Sequence, residues 1–138
     1  MTPALHARLA VAADAALLAR VDPARRDRID AAIARGGCWA AELDGRVVGY
    51  AIVSRGFFER DFIELLVVDA AHRRRGAGDC LLSAIERAVR GDRLFTSTNE
   101  SNAPMRALLA KRGWLPSGRI ENLDDGDPEL VFVKLVPR

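Results

Sequence analysis

The most informative stretch of the chain is Val68-Asp69-Ala70-Ala71-His72-Arg73-Arg74-Arg75-Gly76-Ala77-Gly78. The run before it, residues 62–68, is almost continuously apolar, which predicts a buried strand. The run after it, residues 78–90, has apolar residues at helical spacing, namely Leu81, Leu82, Ile85 and Val89. A glycine-rich turn between a buried strand and a helix N-terminus binds anions readily, because exposed backbone N–H groups and the helix dipole place positive charge there.

The residue types in this turn favour a bulky, phosphate-bearing ligand. Gly76 and Gly78 let the backbone approach a diphosphate where a Cβ atom would collide, and three arginines supply permanent positive charge. The alternative is a solvated surface turn, but the flanking strand and helix favour the anion site. Two common phosphate-binding patterns do not apply. No Gly-Lys-Ser/Thr follows, and Leu81 stands where a dinucleotide fingerprint has its third glycine.

Outward from the turn, hydrophobic periodicity predicts a mixed α/β sheet. Before it, strands at residues 38–43 and 46–54 are joined by Asp44-Gly45, a strong two-residue hairpin signal. A loop at residues 57–60 then leads into the strand at 62–68, which we expect at the sheet centre with both faces covered. The elements expected after the turn are a helix at 78–90, a strand at 94–98, a helix between Asn102 and Gly113, and strands at 115–122 and 129–136.

The N-terminal part of the chain adds one strand and two helices to this prediction. The strand is expected at residues 5–11, and a short helix follows from Asp14. Asp22-Pro23 has the form of an N-cap followed by proline at the first helical position, so it predicts a second helix.

Length and composition predict one globular domain over residues 1–138. Nearly half of the residues are apolar, 29% are charged, and the net charge is +2. Three consecutive arginines on a chain with 19 acidic residues do not favour a nucleic-acid partner. Cys38 and Cys80 have no partner at metal-ligand spacing, so we expect no metal site and a reducing compartment. Without a signal peptide or an apolar run of ~20 residues, we expect a cytoplasmic protein with no membrane partner.

The segment from Val68 to Gly78 resembles the acetyl-coenzyme A signature of the GNAT superfamily of N-acetyltransferases, Arg/Gln-x-x-Gly-x-Gly/Ala after a valine-rich strand. A second stretch, from Asn102 to Gly113-Trp114, is similar to the family's next helix. The resemblance extends over residues 38–136, with Ala70 in place of a frequent proline. It implies a central, mostly antiparallel sheet flanked by helices. In that sheet the fourth strand is splayed from the fifth and leaves a gap for the pantetheine arm.

The same resemblance implies acetyl-coenzyme A (acetyl-CoA) as cosubstrate and transfer of its acetyl group to a primary amine of a small molecule or a protein. The backbone of two residues on the fourth strand would bind the pantetheine and the thioester, and the amides of residues 74–79 would hold the diphosphate. Asn102 would contact the pantetheine, a role compatible with a plain helix N-cap. The implied cofactor-binding residues are Leu66, Val68, Arg73, Arg74, Arg75, Gly76, Ala77, Gly78, Asp79 and Asn102.

Acetyl transfer requires a base, because an ammonium group with a pKa of ~10.4 has no lone pair at neutral pH. Glu64 is the candidate catalytic base, since it is the one acid inside an apolar strand and related enzymes often carry an acid in this region that works through water. The alternative is a salt-bridged glutamate paired with Arg46 or Arg55.

A tyrosine that protonates the leaving thiolate in related enzymes is missing, because its position is occupied by Leu109. The only tyrosine, Tyr50, is expected in the core. Water, Ser97 and Cys38 remain open as substitutes. The missing tyrosine also leaves a second function open, a non-catalytic module that binds or senses acyl-CoA.

Three further features have open interpretations. His72 beside the turn is expected to be an exposed loop residue rather than a phosphate donor. Phe57 and Phe58 line an acceptor pocket, form a subunit interface in a homodimer, or pack under the hairpin. The acidic loop at residues 124–127 steers a cationic amine or is a solvated turn.

Overall fold

The computed structural model describes residues 4–137 and contains a seven-stranded mixed sheet flanked by helices. The strands are β1 (Leu5–Leu9), β2 (Cys38–Leu43), β3 (Arg46–Phe57), β4 (Arg60–Val68), β5 (Arg93–Asn99), β6 (Leu115–Ile120) and β7 (Glu129–Leu135). The helices are α1 (Ala15–Val21), α2 (Arg26–Ala34), α3 (Ala77–Ala88) and α4 (Ala103–Lys111). The strand order is β1-β2-β3-β4-β5-β7-β6, with β4 and β5 parallel and the other neighbours antiparallel. The predicted mixed α/β fold is confirmed.

The described chain forms two compact units. The first contains the residues up to Val53 together with Glu64–Ala88, and the second contains Ser54–Ile63 together with the residues from Val89 onward. A single domain over residues 1–138 stays a prediction. None of the helices between residues 4 and 137 has the length and apolarity needed to cross a lipid bilayer.

The first unit has a core between α1, α2 and the strands β2 and β3. Asp44 and Gly45 have φ values of 51° and 80°, so the predicted tight hairpin turn joins these two strands. Helix α3 packs against β1 and β2. The fully buried residues of the main cluster include Leu18, Ile29, Ala32, Cys38, Ala40, Tyr50 and Ile52.

The second unit is built on β5, which pairs with β7 over its whole length. The parallel pairing of β4 with β5 joins Asp61–Ile63 to Leu94–Thr96, and the Thr96 hydroxyl donates to the Ile63 carbonyl at 2.9 Å. The predicted gap beyond these pairs stays a prediction. Helix α4 ends at Lys111, and Gly113 terminates it as predicted, with a φ of 79° and the amide of Trp114 donating to the carbonyl of Leu109.

Two expectations about the centre of the sheet are wrong. Residues 57–60 do not form a loop, because β3 and β4 are joined by a two-residue turn, Phe58 and Glu59, with φ values of 53° and 62°. Phenylalanine and glutamate are disfavoured at positive φ, so these two residues carry no recognisable turn signal. Strand β4 is also less covered than its apolar sequence suggests. Ile63 is buried, but the residues from Glu64 to Val68 are only half-buried.

Asp22 does not act as the expected helix cap. Pro23 opens a short 3-10 turn, Pro23–Arg25, and the Asp22 side chain makes no cap hydrogen bond. Its carboxylate instead accepts from the Tyr50 hydroxyl at 2.7 Å and from Arg25 at 2.7 Å. A buried phenol therefore competes for the oxygen that would otherwise cap the helix.

Candidate active site

The segment between β4 and α3 begins with a pair of side chains that fixes its course. The amide of Asp69 donates to the carbonyl of Val48 at 2.8 Å. The Asp69 carboxylate accepts from the amide of Ala71 at 3.5 Å and lies 3.0 Å from Nδ1 of His72. The expectation that His72 is exposed is wrong, because its side chain is only 19% exposed. Its partner is three residues away, which closes the turn locally.

The turn itself contains two residues in the left-handed conformation. Arg74 has a φ of 64° and Gly76 a φ of 89°, and both precede the first turn of α3. Helical hydrogen bonding begins with the amide of Cys80, which donates to the carbonyl of Gly76 at 2.9 Å. The amides of Ala77 and Gly78 therefore come before the first helical donor and are available to an anion.

The three arginines of the turn add a concentrated positive charge. Arg73, Arg74 and Arg75 are exposed, and none of them forms an ion pair with a carboxylate in the part of the chain that the structure describes. The N-terminus of a helix already carries a partial positive charge, so cations beside it are unfavourable unless an anion binds. This arrangement fits a ligand with several phosphate groups.

The end of β4 leads directly into this turn. Leu66 and Val68 are half-buried there. The neighbouring strand approaches closely at Gly49, since a Cβ atom at that position would lie 2.8 Å from the carbonyl oxygen of Val67. Any other residue at position 49 would push β3 away, so this glycine keeps the backbone of β4 in place.

Glu64 is held by two arginines of the first unit. Its Oε1 accepts from Nη2 of Arg28 at 2.9 Å, and Nη2 of Arg35 lies 3.8 Å from Oε2. The side chain is 29% exposed. Glu64 is therefore in a salt bridge, but the expected partners Arg46 and Arg55 are wrong, since Arg55 pairs with Asp61. The role of Glu64 as a catalytic base stays a prediction. The seven-residue spacing of Arg28 and Arg35, two helical turns, is the signal that could have suggested a shared partner.

Asn102 is placed as the N-cap of α4, because its Oδ1 accepts from the amide of Met105 at 3.2 Å. Its contact with pantetheine stays a prediction. Leu109, where a tyrosine is expected, is fully buried.

The groups considered as substitutes for that tyrosine are already engaged or desolvated. The Ser97 hydroxyl donates to Glu129 at 2.7 Å. Cys38 is buried, and burial raises the pKa of its thiol to about 11. Tyr50 is in the core, as expected, and its burial and its hydrogen bond to Asp22 raise its pKa above the ordinary value. A water molecule is the remaining candidate from the sequence.

Carboxylates of the acidic loop, residues 124–127, hold the loop in place through hydrogen bonds. Asp124 accepts from Nδ2 of Asn99 at 2.8 Å, and Asp127 accepts from the amide and hydroxyl of Ser101 at 3.0 and 2.6 Å. These bonds tie the loop to the segment just before Asn102. At least two of its carboxylates therefore have a structural role.

Comparison with known proteins identifies the family. The model of the acetyltransferase (GNAT) family matches residues 10–114, which include the arginine-rich turn. The chain belongs to the GNAT family. A solved GNAT acetyltransferase from Bacillus cereus ATCC 10987 is 31% identical, with a TM-score of 0.94 over 98% of this chain and 99% of that chain.

More distant structures share the GNAT fold of this chain. The Salmonella typhimurium protein yncA, solved with its cofactor acetyl-CoA, has a TM-score of 0.78 at 19% identity, over 98% of this chain and 95% of that one. The ribosomal-protein-S18-alanine N-acetyltransferase of Escherichia coli has a TM-score of 0.81 at 16% identity, over 98% and 96% of the two chains. No curated protein sequence matches this GNAT chain significantly.

Proposed function

We propose that this GNAT protein is an N-acetyltransferase that takes acetyl-CoA as cosubstrate and acetylates a primary amine of a small molecule or a protein. The observation that carries the proposal is the turn from Arg73 to Gly78. It combines left-handed backbone, helix N-terminal amides and three arginines without ion-pair partners in residues 4–137. These are the groups that a diphosphate needs.

The cofactor contacts follow from this turn and from the family. The amides of residues 74–79 and the arginine side chains would hold the phosphates, with Arg73, Gly76, Ala77 and Asp79 among them. The backbone of Leu66 and Val68 would bind the pantetheine and thioester, and Asn102 would bind the pantetheine. Support comes from the half-buried end of β4, whose backbone the close approach at Gly49 keeps in place.

In the reaction, the neutral amine nitrogen attacks the thioester carbon and the C–N bond forms. The nitrogen then gives its second proton to water, the C–S bond breaks, and coenzyme A leaves as a thiolate. The amine must first lose a proton, which we assign to Glu64 acting through water. A thiol with an ordinary pKa of ~8.5 makes its thiolate a tolerable leaving group, so Leu109 is compatible with turnover.

A second function, binding acyl-CoA without turnover, is favoured by one pair of observations. Leu109 provides no proton donor, and the carboxylate of Glu64 is already engaged by Arg28 and Arg35. Such a module would bind the phosphates of acyl-CoA with the same turn but would not transfer the acyl group. The proposed cellular location is the same for both functions. The free thiols of Cys38 and Cys80 support a reducing compartment, the cytoplasm.

The two functions are separated by an acceptor screen. The purified protein is mixed with acetyl-CoA and a panel of amines, and release of free thiol is followed over time. The enzyme is expected to release thiol at a rate that depends on the identity and the concentration of one class of amine. Binding of acetyl-CoA with no thiol release above the amine-free background across the panel would support the sensing module instead.

A further inference from the structure

A row of apolar side chains crosses one face of the sheet in the second unit. Phe62 of β4 pairs in register with Phe95 of β5. Phe95 pairs with Val133 of β7, and Val133 pairs with Leu115 of β6. Residues that pair in register lie on the same face of a sheet, so the four side chains are continuous. The ring of Phe57 packs beside them, with its centroid 4.8 Å from that of Phe62 and 5.2 Å from that of Phe95.

Within this row Val133 is buried and Phe57, Phe62 and Phe95 are half-buried, but the side chains at its margins are open to solvent. Leu115 is 49% exposed, and so is Leu135, which shares the face because it lies two residues from Val133. Phe58, whose ring packs edge-on against Phe57, is 84% exposed. We call this surface, Phe57, Phe58, Phe62, Phe95, Leu115 and Leu135, the aromatic face. Contiguous apolar patches of this kind on a soluble protein mark interaction sites.

The backbone that presents Phe58 is strained. Phe58 and Glu59 both have positive φ, in a two-residue turn for which asparagine and glycine are the favourable residues. Nη2 of Arg55 donates to the carbonyl of Glu59 at 2.7 Å and helps to hold the turn. The chain therefore carries a large aromatic residue outward at a conformational cost, which suggests that the ring has a partner.

A cleft of about 280 Å³ lies beside Phe58 and is lined by arginines and acids. Arg55 faces Asp61 at 3.5 Å, while Asp92 lies 3.3 Å from Arg60 and 3.5 Å from Arg93. The charges of these ion pairs nearly balance, so the rim offers no excess of one sign to a nucleic acid. A two-fold axis, in contrast, can set the arginines of one copy against the acids of another and an aromatic ring against guanidinium groups.

We propose that a second copy of this chain docks on the aromatic face, with Phe58 of each copy entering the arginine-lined cleft of the other. A protruding ring beside a cleft is complementary to its own two-fold copy, because each molecule supplies one of each. Aromatic residues and arginine are also the residues enriched at the energetic centre of protein interfaces. The interface does not depend on which of the two proposed functions, acetyl transfer or acyl-CoA binding without turnover, the protein has.

The test is sedimentation equilibrium of the full chain from about 1 to about 200 μM, a range that covers micromolar association. The wild type is expected to dimerise within this range. Phe58→Asn should weaken the dimer by about 30-fold, the loss typical of one central aromatic contact. Leu135→Glu should weaken it as well. Leu17→Asn, at a 41% exposed leucine of the first unit, is the matched control and should leave it unchanged.

Phe58→Asn has a second readout that a purely structural phenylalanine would not give. Asparagine tolerates positive φ, so the variant should melt at the same or a higher temperature than the wild type when both are monomeric. A wild type that stays monomeric throughout the range would overturn the proposal. So would a dimer equally strong in Phe58→Asn, equal weakening by Leu17→Asn, or a lower monomer melting temperature in Phe58→Asn.

Discussion

Glu64→Gln separates the catalytic and the structural role of this side chain, because the two roles predict losses of very different size. Glu64 and Arg28 are 29% and 50% exposed, so their ion pair contributes at most ~1 kcal/mol to stability. For a chain of this length, that corresponds to a melting temperature lower by about 3 °C. A general base, in contrast, accelerates a reaction by ~10²–10⁴-fold. The rate in the glutamine variant should therefore fall about 100-fold or more while the fold is barely affected.

The assay follows thiol release at saturating acetyl-CoA and amine, with cofactor affinity measured separately. Glu42→Gln is the matched control, since Glu42 is also a half-buried strand glutamate held by an arginine, Arg8, at 2.5 Å. It should lower stability without lowering the rate. The loss in Glu64→Gln should shrink as pH rises toward ~10.4, where the acceptor amine is already neutral. An unaltered rate in Glu64→Gln, or an equal loss in both variants, would refute the catalytic role.

Two further predictions concern the N-terminal network and the missing acid. Arg8 donates to the buried Asp14 at 2.7 and 3.0 Å, and these bonds lower the pKa of the Asp14 carboxyl in the folded protein. The pair therefore stabilises the fold at pH values above the ordinary pKa of ~3.9. This stabilisation is lost as the pH falls through the lower pKa of the folded state. Arg8→Met should therefore cost about 2 kcal/mol at neutral pH, a melting temperature about 7 °C lower, and much less near pH ~2; equal differences at both pH values in thermal melts would contradict this. Leu109→Tyr should raise the maximal rate or add an alkaline limb near pH ~10, measured as a pH profile alongside a stability check for ~1–3 kcal/mol of overpacking. A folded, cofactor-binding Leu109→Tyr variant with unchanged kinetics would mean that the sulfur lies elsewhere.

Features encoded locally were predictable from the sequence. The Asp44-Gly45 turn has residues suited to its positive φ values, and the Asn102 cap and the Gly113 stop enclose α4 as expected. The turn from Arg73 to Gly78 could be recognised for the same reason, since its glycines, arginines and following helix are contiguous. The family model confirms the resemblance on which the cofactor assignment rests.

Features that depend on tertiary contacts were not predictable. Phe58 and Glu59 form a tight turn against their own backbone preferences, so no local signal marks it. Glu64 finds Arg28 across 36 residues of chain, a pairing that periodicity cannot specify. Asp22 binds the Tyr50 hydroxyl instead of capping the helix. Burial alone would raise the pKa of the Asp22 carboxyl. The hydrogen bonds from Tyr50 and Arg25 outweigh this effect and lower the pKa.

The central claim, that the turn binds the phosphates of acetyl-CoA, is tested most directly by cofactor-dependent thermal stabilisation. At about 100 times the dissociation constant, a bound cofactor adds ~2.7 kcal/mol, which should raise the melting temperature of the wild type by about 9 °C. Gly78→Glu should abolish this shift, because it places a side chain and a negative charge at the amides that we propose hold the diphosphate. Ser83→Glu adds the same charge later in α3, beside Arg87, and should keep the full shift. A Gly78→Glu variant stabilised as strongly as the wild type would contradict the claim.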